Sequence, residues 1–270
     1  MNNDNPSISP LLRLVTTIEC LVLAGAGIGL FFFYDFMATQ WPWVLTPFNS
    51  GFLGAIYLAS MVATGLLLAM PNWTPGRMLL PMILTFTLVM LVASLIHIGQ
   101  FDFQRISTWL WFALYIVLPI NALYHMWLYR KLPPANAVLT PTLLRAYLGT
   151  QAVIMALYGF ALILAPTAVT GFWPWKINDF HAHLYSALAF TGAIPVLVLA
   201  RKCSIEECFT LGMTQIALGL LAIVGVVLRS AKVDYSAAGT WLWLAAFAIS
   251  ALSGIAMVVY ARRLMAKAAA

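Results

Sequence analysis

Charged residues are scarce in this chain of 270 residues, because only 8% of its positions are Asp, Glu, Lys or Arg while 63% are hydrophobic. Soluble globular domains usually carry about 25% charged residues, so the composition excludes a soluble protein. The net charge of +6 comes from 14 basic and 8 acidic residues. Within so apolar a chain, this charge fits contact with anionic lipid, and it gives no argument for nucleic acid as a partner.

Motifs of common soluble enzymes are also missing. The sequence has no Walker A pattern, no G-x-G-x-x-G after a strand, no G-x-S-x-G and no H-E-x-x-H. Its three cysteines suggest no disulfide framework, since Cys20 lies in an apolar run and Cys203 and Cys208 flank a short charged turn. We therefore predict no catalytic residues, and enzyme activity is the less favoured class.

Long apolar runs give the fold class. A helix needs roughly 20 apolar residues to cross about 30 Å of hydrocarbon, and a strand barrel would instead show alternating segments of about 10 residues. No such alternation appears, so we predict an all-α membrane protein with eight transmembrane helices. They are placed near 11–34, 51–70, 78–98, 107–129, 143–165, 183–200, 209–228 and 240–261.

An internal duplication organises these eight spans. At a constant offset of 132 positions, Trp41-Pro42-Trp43 returns as Trp173-Pro174-Trp175, and Thr108-Trp109-Leu110-Trp111 returns as Thr240-Trp241-Leu242-Trp243. We predict a first four-helix repeat at 1–131, a cytoplasmic linker at 132–142 and a second repeat at 143–270. Because four is an even number, both repeats enter the membrane in the same direction, which is the parallel type of repeat.

Basic residues predict the orientation, since Lys and Arg are retained on the cytoplasmic side of the inner membrane. Ten of them fall on one side of the alternating spans and only Arg105, Lys176, Arg229 and Lys232 fall on the other. Both termini are therefore predicted to be cytoplasmic. The ten are Arg13, Arg77, Arg130, Lys131, Arg145, Arg201, Lys202, Arg262, Arg263 and Lys267.

The segment from Trp41 to Pro47 reads W-P-W-V-L-T-P. It resembles a W-P-W-x-L-T-P segment of uncharacterised bacterial multi-pass membrane proteins. The resemblance covers only this short stretch, and the second repeat departs from it after Trp175. It implies a multi-pass protein of the bacterial inner membrane, and it implies no activity and no functional residue.

Polar residues inside the spans are the first candidate site. Glu19 lies about two turns inside the first span, where a charged side chain is costly and normally faces protein or water. Its repeat counterpart is Gln151, so we expect the two to face one another near the repeat interface, with pairing of Glu19 to Arg13 as the alternative. Asn121 and His125 mark a polar face of the fourth span.

A second candidate group is predicted at the outer face. We expect His97 to pair with Asp102, and Arg229 with Asp234, because a cation is favoured at a helix C-terminus and an aspartate follows five residues later. The tryptophans of the two W-P-W segments favour an interfacial aromatic belt. The alternative is that the two loops meet and form an outer vestibule. These tryptophans are Trp41, Trp43, Trp173 and Trp175.

Metal and haem sites are considered but not predicted. Asp179, His181 and His183 could ligate one divalent ion if they lay on an extended segment, and the pattern is weak without a longer motif. His125 and Met257, which are repeat counterparts, are the residue types of a His/Met haem pair. Metal binding and haem binding both remain minor alternatives.

Function is predicted from the repeats. We expect a small transport or channel-like role with a path near the repeat interface, where parallel-repeat transporters place their sites. The alternative is a non-catalytic accessory or scaffold subunit of a larger membrane complex, with a membrane protein or a second copy as its partner. A membrane redox or metal-binding protein is the third possibility.

Overall fold

The computed structural model describes residues 5–269, and the side chains of residue 232 and of residues 266–269 lie outside this description. The outermost residues of the two predicted repeats, at 1–4 and 270, therefore fall outside it as well. So do the side chains of Lys232 and Lys267, which contributed to the predicted orientation.

The protein is all-helical, with 78% of its residues in helix, and eight of the described helices are long and apolar enough to cross a membrane. The prediction of eight transmembrane helices is confirmed at this level. The long helices are α1 (Pro10–Phe32), α3 (Pro47–Ala69), α4 (Gly76–Ile96), α5 (Ile106–Tyr129), α6 (Thr142–Leu164), α8 (Asp179–Leu199), α9 (Ile205–Val227) and α10 (Ala238–Ala269), and the short ones are α2 (Tyr34–Gln40) and α7 (Pro166–Val169).

Capping side chains begin three of these helices before the apolar runs start. The Thr46 hydroxyl accepts a hydrogen bond from the Asn49 amide, ahead of Pro47 at the first helical position. The Asn178 side chain accepts one from the His181 amide. Ser204 and Glu207 form a reciprocal capping box. Since caps satisfy amides that lack an intrahelical partner, each helix starts four residues before its predicted span.

The long helices pack in two series of four. In one, α1 packs on α3, α3 on α9, and α9 on α10; in the other, α6 packs on α8, α8 on α4, and α4 on α5. Helices from the two predicted repeats thus alternate inside each series, while α3 and α4 barely touch. The α1–α5 and α6–α10 seams, which join the ends of the series, are sparsely packed.

The end of the bundle that holds the start of α1 is called the basic end. Here a two-residue strand β1 (Val138–Leu139) in the linker pairs antiparallel with β2 (Lys202–Cys203). Arg77 reaches Glu207 with Nε to Oε1 at 2.6 Å and Nη2 to Oε2 at 2.8 Å. The other end carries the two W-P-W segments and is called the aromatic end.

Candidate functional site

A cavity of about 740 Å³ lies between the two series of helices, and residues of all eight long helices line it. Its wall is mainly aliphatic and aromatic, with a small number of polar side chains from different helices. A concave apolar site of a few hundred cubic ångströms with a few polar groups is the usual form of a small-molecule site. The cavity is therefore the candidate functional site.

Glu19 of α1 is the acidic residue of this wall. Its side chain is only 9% exposed, and it makes no hydrogen bond or salt bridge to any residue that the structure describes. Arg13 does not pair with it, because Arg13 Nη1 instead donates to the Leu68 carbonyl at 3.4 Å. Next to Glu19 the hydroxyls of Tyr57 and Tyr115 lie 3.2 Å apart.

Gln151 lines the same cavity but belongs to a different polar network. Its Nε2 donates to the Gly192 carbonyl at 2.9 Å, and its Oε1 accepts from Gln215 Nε2 at 3.1 Å. The Tyr147 and Ser253 hydroxyls, 2.7 Å apart, extend this network from α6 to α10. The structure thus brings Glu19 and Gln151 to one cavity without a bond between them, since Gln151 is satisfied by residues of α8 and α9.

Three buried polar atoms without a partner among the described residues belong to side chains that line the cavity. They are Nε1 of Trp41, Nε1 of Trp243 and the Thr191 hydroxyl. A buried donor without a partner is costly, and it is uncommon enough to call for an explanation. All three atoms have almost no accessible surface, so they lie behind the cavity surface and offer no hydrogen bond to a molecule inside it.

Aromatic side chains close the cavity at the aromatic end. Trp43 donates its indole N–H to His181 Nε2 at 3.3 Å, and Trp175 donates its own to Asn49 Oδ1 at 2.8 Å. Each indole also packs on a phenylalanine from the other half of the chain, Trp43 on Phe180 and Trp175 on Phe48.

The aromatic-belt interpretation of the W-P-W segments is wrong. Trp41, Trp43 and Trp175 are 2–9% exposed and belong to the main apolar core. The N–H groups of Trp43 and Trp175 and the ring faces of all three find partners inside the protein, so burial is favoured over the bilayer interface. Trp109, Trp127 and Trp241, which are 59%, 59% and 57% exposed, lie at the surface instead.

The ion pairs expected at the outer face do not form. His97 Nε2 lies 2.8 Å from His183 Nδ1, and Arg229 donates to the backbone carbonyls of Phe31 and Gly225. Asp102 pairs with Arg105 at 2.9 Å, and Asp234 accepts from Ser236. A turn of 3-10 helix follows His97 and Arg229. Both side chains contact residues from the other half of the chain and point away from the aspartates.

Burial, neighbouring charges and hydrogen bonds shift the pKa values of His97, Arg229 and Asp234. Burial, and then the neighbouring His183, lower the pKa of His97, while Asp179 acts in the opposite direction. Burial also lowers the pKa of Arg229. The hydrogen bonds from Ser236 lower the pKa of Asp234.

The proposed metal ligands lie on the first turn of α8, which corrects the extended segment expected there. Two residues apart on a helix, His181 and His183 point to different sides and take different partners. His181 Nδ1 bonds to Asn178 Oδ1 at 2.7 Å, and His183 bonds to His97. Among the described residues, no three His, Cys, Asp or Glu side chains form a group that could hold a metal ion.

His125 and Asn121 do not line the cavity. Buried His125 makes a bond of 2.8 Å to the Ser9 hydroxyl through Nε2 and one of 2.9 Å to the Asn121 carbonyl through Nδ1. Both ring nitrogens are thus occupied: Nε2 joins the start of α1 to α5, and Nδ1 bonds within α5. Met257 packs in the apolar core of the basic end.

Sequence reasoning missed Tyr57, Tyr115, Gln215 and Asn49. A polar residue inside a span was the available signal for Gln215, and the offset of 132 makes Asn49 the counterpart of His181. The two tyrosines carried no signal, because a tyrosine is ordinary in an apolar helix.

Comparison with known proteins finds no match to this chain, whether among protein-family models, curated proteins or solved structures.

Proposed function

We propose that the protein binds a small, largely apolar molecule in its central cavity and transports it within or across the membrane. The observation that supports this proposal is the cavity of about 740 Å³, to which all eight long helices contribute. A bundle that only needed to be stable would fill this space, since protein interiors are close-packed. Exposed apolar side chains on the outside of the bundle match a lipid bilayer.

We infer further that two parallel four-helix repeats surround this site. When every residue number is shifted by 132, each packed pair of helices maps onto another packed pair. The pair α1–α3 maps onto α6–α8, α3–α9 onto α8–α4, and α4–α5 onto α9–α10. The bonds of Trp43 to His181 and of Trp175 to Asn49 correspond in the same way. This pattern supports a pseudo-two-fold axis through the cavity, which puts the ligand at the repeat interface.

We place the protein in a bacterial inner membrane with both termini in the cytoplasm. The excess of Lys and Arg at the basic end supports this orientation, and the W-P-W-V-L-T-P resemblance supports the location. The basic end then faces the cytoplasm and the aromatic end faces outward.

The scaffold function is the alternative, and it needs no cavity. The redox function is the third, and it would need histidine nitrogens directed at a cofactor. The large cavity favours ligand binding over both.

A tryptophan placed in the cavity tests the proposal. Ala246 lines the cavity and its neighbour Ala245 is exposed without lining it, so Ala246→Trp and Ala245→Trp differ only in where the ring goes. Small molecules extracted from the purified proteins are identified by mass spectrometry, and the compound found is then followed in proteoliposomes.

We expect one compound to co-purify with the wild type and with Ala245→Trp, and to be lost from Ala246→Trp together with its flux. Equal occupancy of both variants, or no compound in any of the three proteins, would contradict the proposal and favour the scaffold function.

A further inference from the structure

Two carboxylates are buried among the described residues, and their surroundings are opposite in character. Glu207 is fully buried, receives two hydrogen bonds from Arg77 and accepts a third from the Ser204 amide. Glu19 is 9% exposed and has no cationic partner among the described residues. An isolated carboxylate in apolar surroundings is very costly when ionised, so it must be protonated or paired.

The described residues of the cavity wall carry no positive charge that could neutralise Glu19. No Lys, Arg, His or Asp occurs among the described lining residues. The neighbouring helices present to it the Tyr57 hydroxyl from α3 and the Tyr115 hydroxyl from α5, and Arg13 on α1 itself is directed to a backbone carbonyl. Tyrosine hydroxyls donate hydrogen bonds and bring no positive charge.

The rest of the wall suits a cation that is itself apolar. Thirteen of the lining residues are aromatic, and the faces of Trp, Tyr and Phe attract cations, more strongly when water is excluded. Glu19 on α1 and Tyr115 on α5 flank the sparsely packed α1–α5 seam. A membrane-dissolved ligand would reach Glu19 through this seam without passing the aromatic side chains of the aromatic end.

We propose that the ligand is a lipophilic monovalent cation, held by the Glu19 carboxylate and by aromatic faces, and that it exchanges with a proton on Glu19. The carboxylic acid O–H bond breaks as the cation binds, the proton leaves to water and the carboxylate pairs with the cation, so charge in the cavity is conserved. This inference rests on the proposed function and names its substrate class.

Equilibrium dialysis of the purified protein in detergent, corrected with protein-free micelles, tests the inference. The probes are tetraphenylphosphonium and tetraphenylborate, which are nearly equal in size and opposite in charge. We expect saturable binding of the phosphonium alone, weakening as the pH falls, with up to one proton released per cation in weakly buffered solution.

Glu19→Gln should weaken phosphonium binding by about thirtyfold or more, as expected when one member of a buried charge pair is removed. Glu19→Asp should retain most of it. Asp35→Asn, which removes an exposed carboxylate outside the cavity, should leave binding unchanged. If Glu19→Gln does not fold, the wild type alone tests the inference, through its selectivity for the phosphonium over the borate and through its release of protons.

Equal binding of both probes, or a folded Glu19→Gln that binds as the wild type does, would overturn the cation inference. If Ala246→Trp still displaces a co-purifying compound in that case, the proposed function stands and only the substrate class is wrong.

Discussion

A buried carboxylate stabilises a fold only when a cationic side chain pairs with it inside the protein. Arg77 and Glu207 show this at the basic end, where α4 meets α9 through a bidentate pair whose acidic member is fully buried. Because Glu207 also accepts the Ser204 amide, the same side chain caps α9 and fixes it against α4.

Arg77→Met should lower the free energy of unfolding by about 3–5 kcal/mol, because it leaves Glu207 buried without a counter-charge. Adding Glu207→Gln should restore part of the loss, since an amide still caps the helix and carries no charge. Thermal unfolding in detergent measures both variants. A double variant no more stable than Arg77→Met would show that packing of the arginine, and not its charge, matters.

A site residue could be predicted from the sequence where its side chain is energetically unfavourable in an apolar span. Glu19 and Gln151 stand out in apolar runs, and both line the cavity. Their neighbours could not be predicted, because Tyr115 beside Glu19 and Gly192 bonded to Gln151 are brought close by tertiary packing. The expected pair of His97 with Asp102 failed for the same reason: proximity along the chain gave no information on the inward turn of the side chain.

Helix boundaries were predictable only where hydrophobicity marks them. The starts of α3, α8 and α9 fall in polar sequence, and window hydropathy therefore places them late. The capping signals at Thr46-Pro47 and at Ser204 with Glu207 are visible in the sequence, and they would have corrected the prediction.

The contact between α9 and α10 depends on glycine. A Cβ at Gly254 would lie 2.5 Å from the Gly212 carbonyl oxygen, whereas a Cβ at Gly149 in α6 would meet nothing within 4 Å. Small residues of this kind let membrane helices approach closely.

Gly254→Ala should therefore destabilise the protein by about 1–3 kcal/mol, the usual cost of overpacking. Gly149→Ala is the matched control, and we expect it to be neutral or to stabilise α6 by about 0.5–1 kcal/mol, because alanine is the better helix former. Thermal unfolding midpoints compare the two. An unchanged midpoint for Gly254→Ala would mean that the helices can separate at no cost.

At the scale of the molecule, the number of helices was predictable and their neighbours were not. Length and hydropathy predict eight spans, since each must cross the same thickness of hydrocarbon. Which helices touch depends on small differences between apolar surfaces. The packing of α3 on α9 and of α8 on α4 has no counterpart in any local pattern of the sequence.

The proposed orientation is tested by cysteine labelling from outside the inner membrane in a Cys20→Ala background. Gln40→Cys lies at an exposed position of the aromatic end and should label in intact cells, whereas Lys131→Cys, exposed at the basic end, should label only after permeabilisation. Ser50 is unsuitable because it is fully buried. The reverse labelling pattern would place the termini outside.

The alternation of helices within each series also governs how the protein is assembled. When α3 and α4 have been inserted, α9 and α8, the helices against which they pack, have not yet been synthesised. In the first half of the chain α1 can pack on α3 and α4 on α5, but α3 and α4 enter the bilayer with the faces that later contact α9 and α8 turned to lipid. The native arrangement forms only after the second half of the chain is inserted. Biogenesis must keep the early helices apart from other membrane proteins during that interval, and truncation after α5 leaves an open half-bundle.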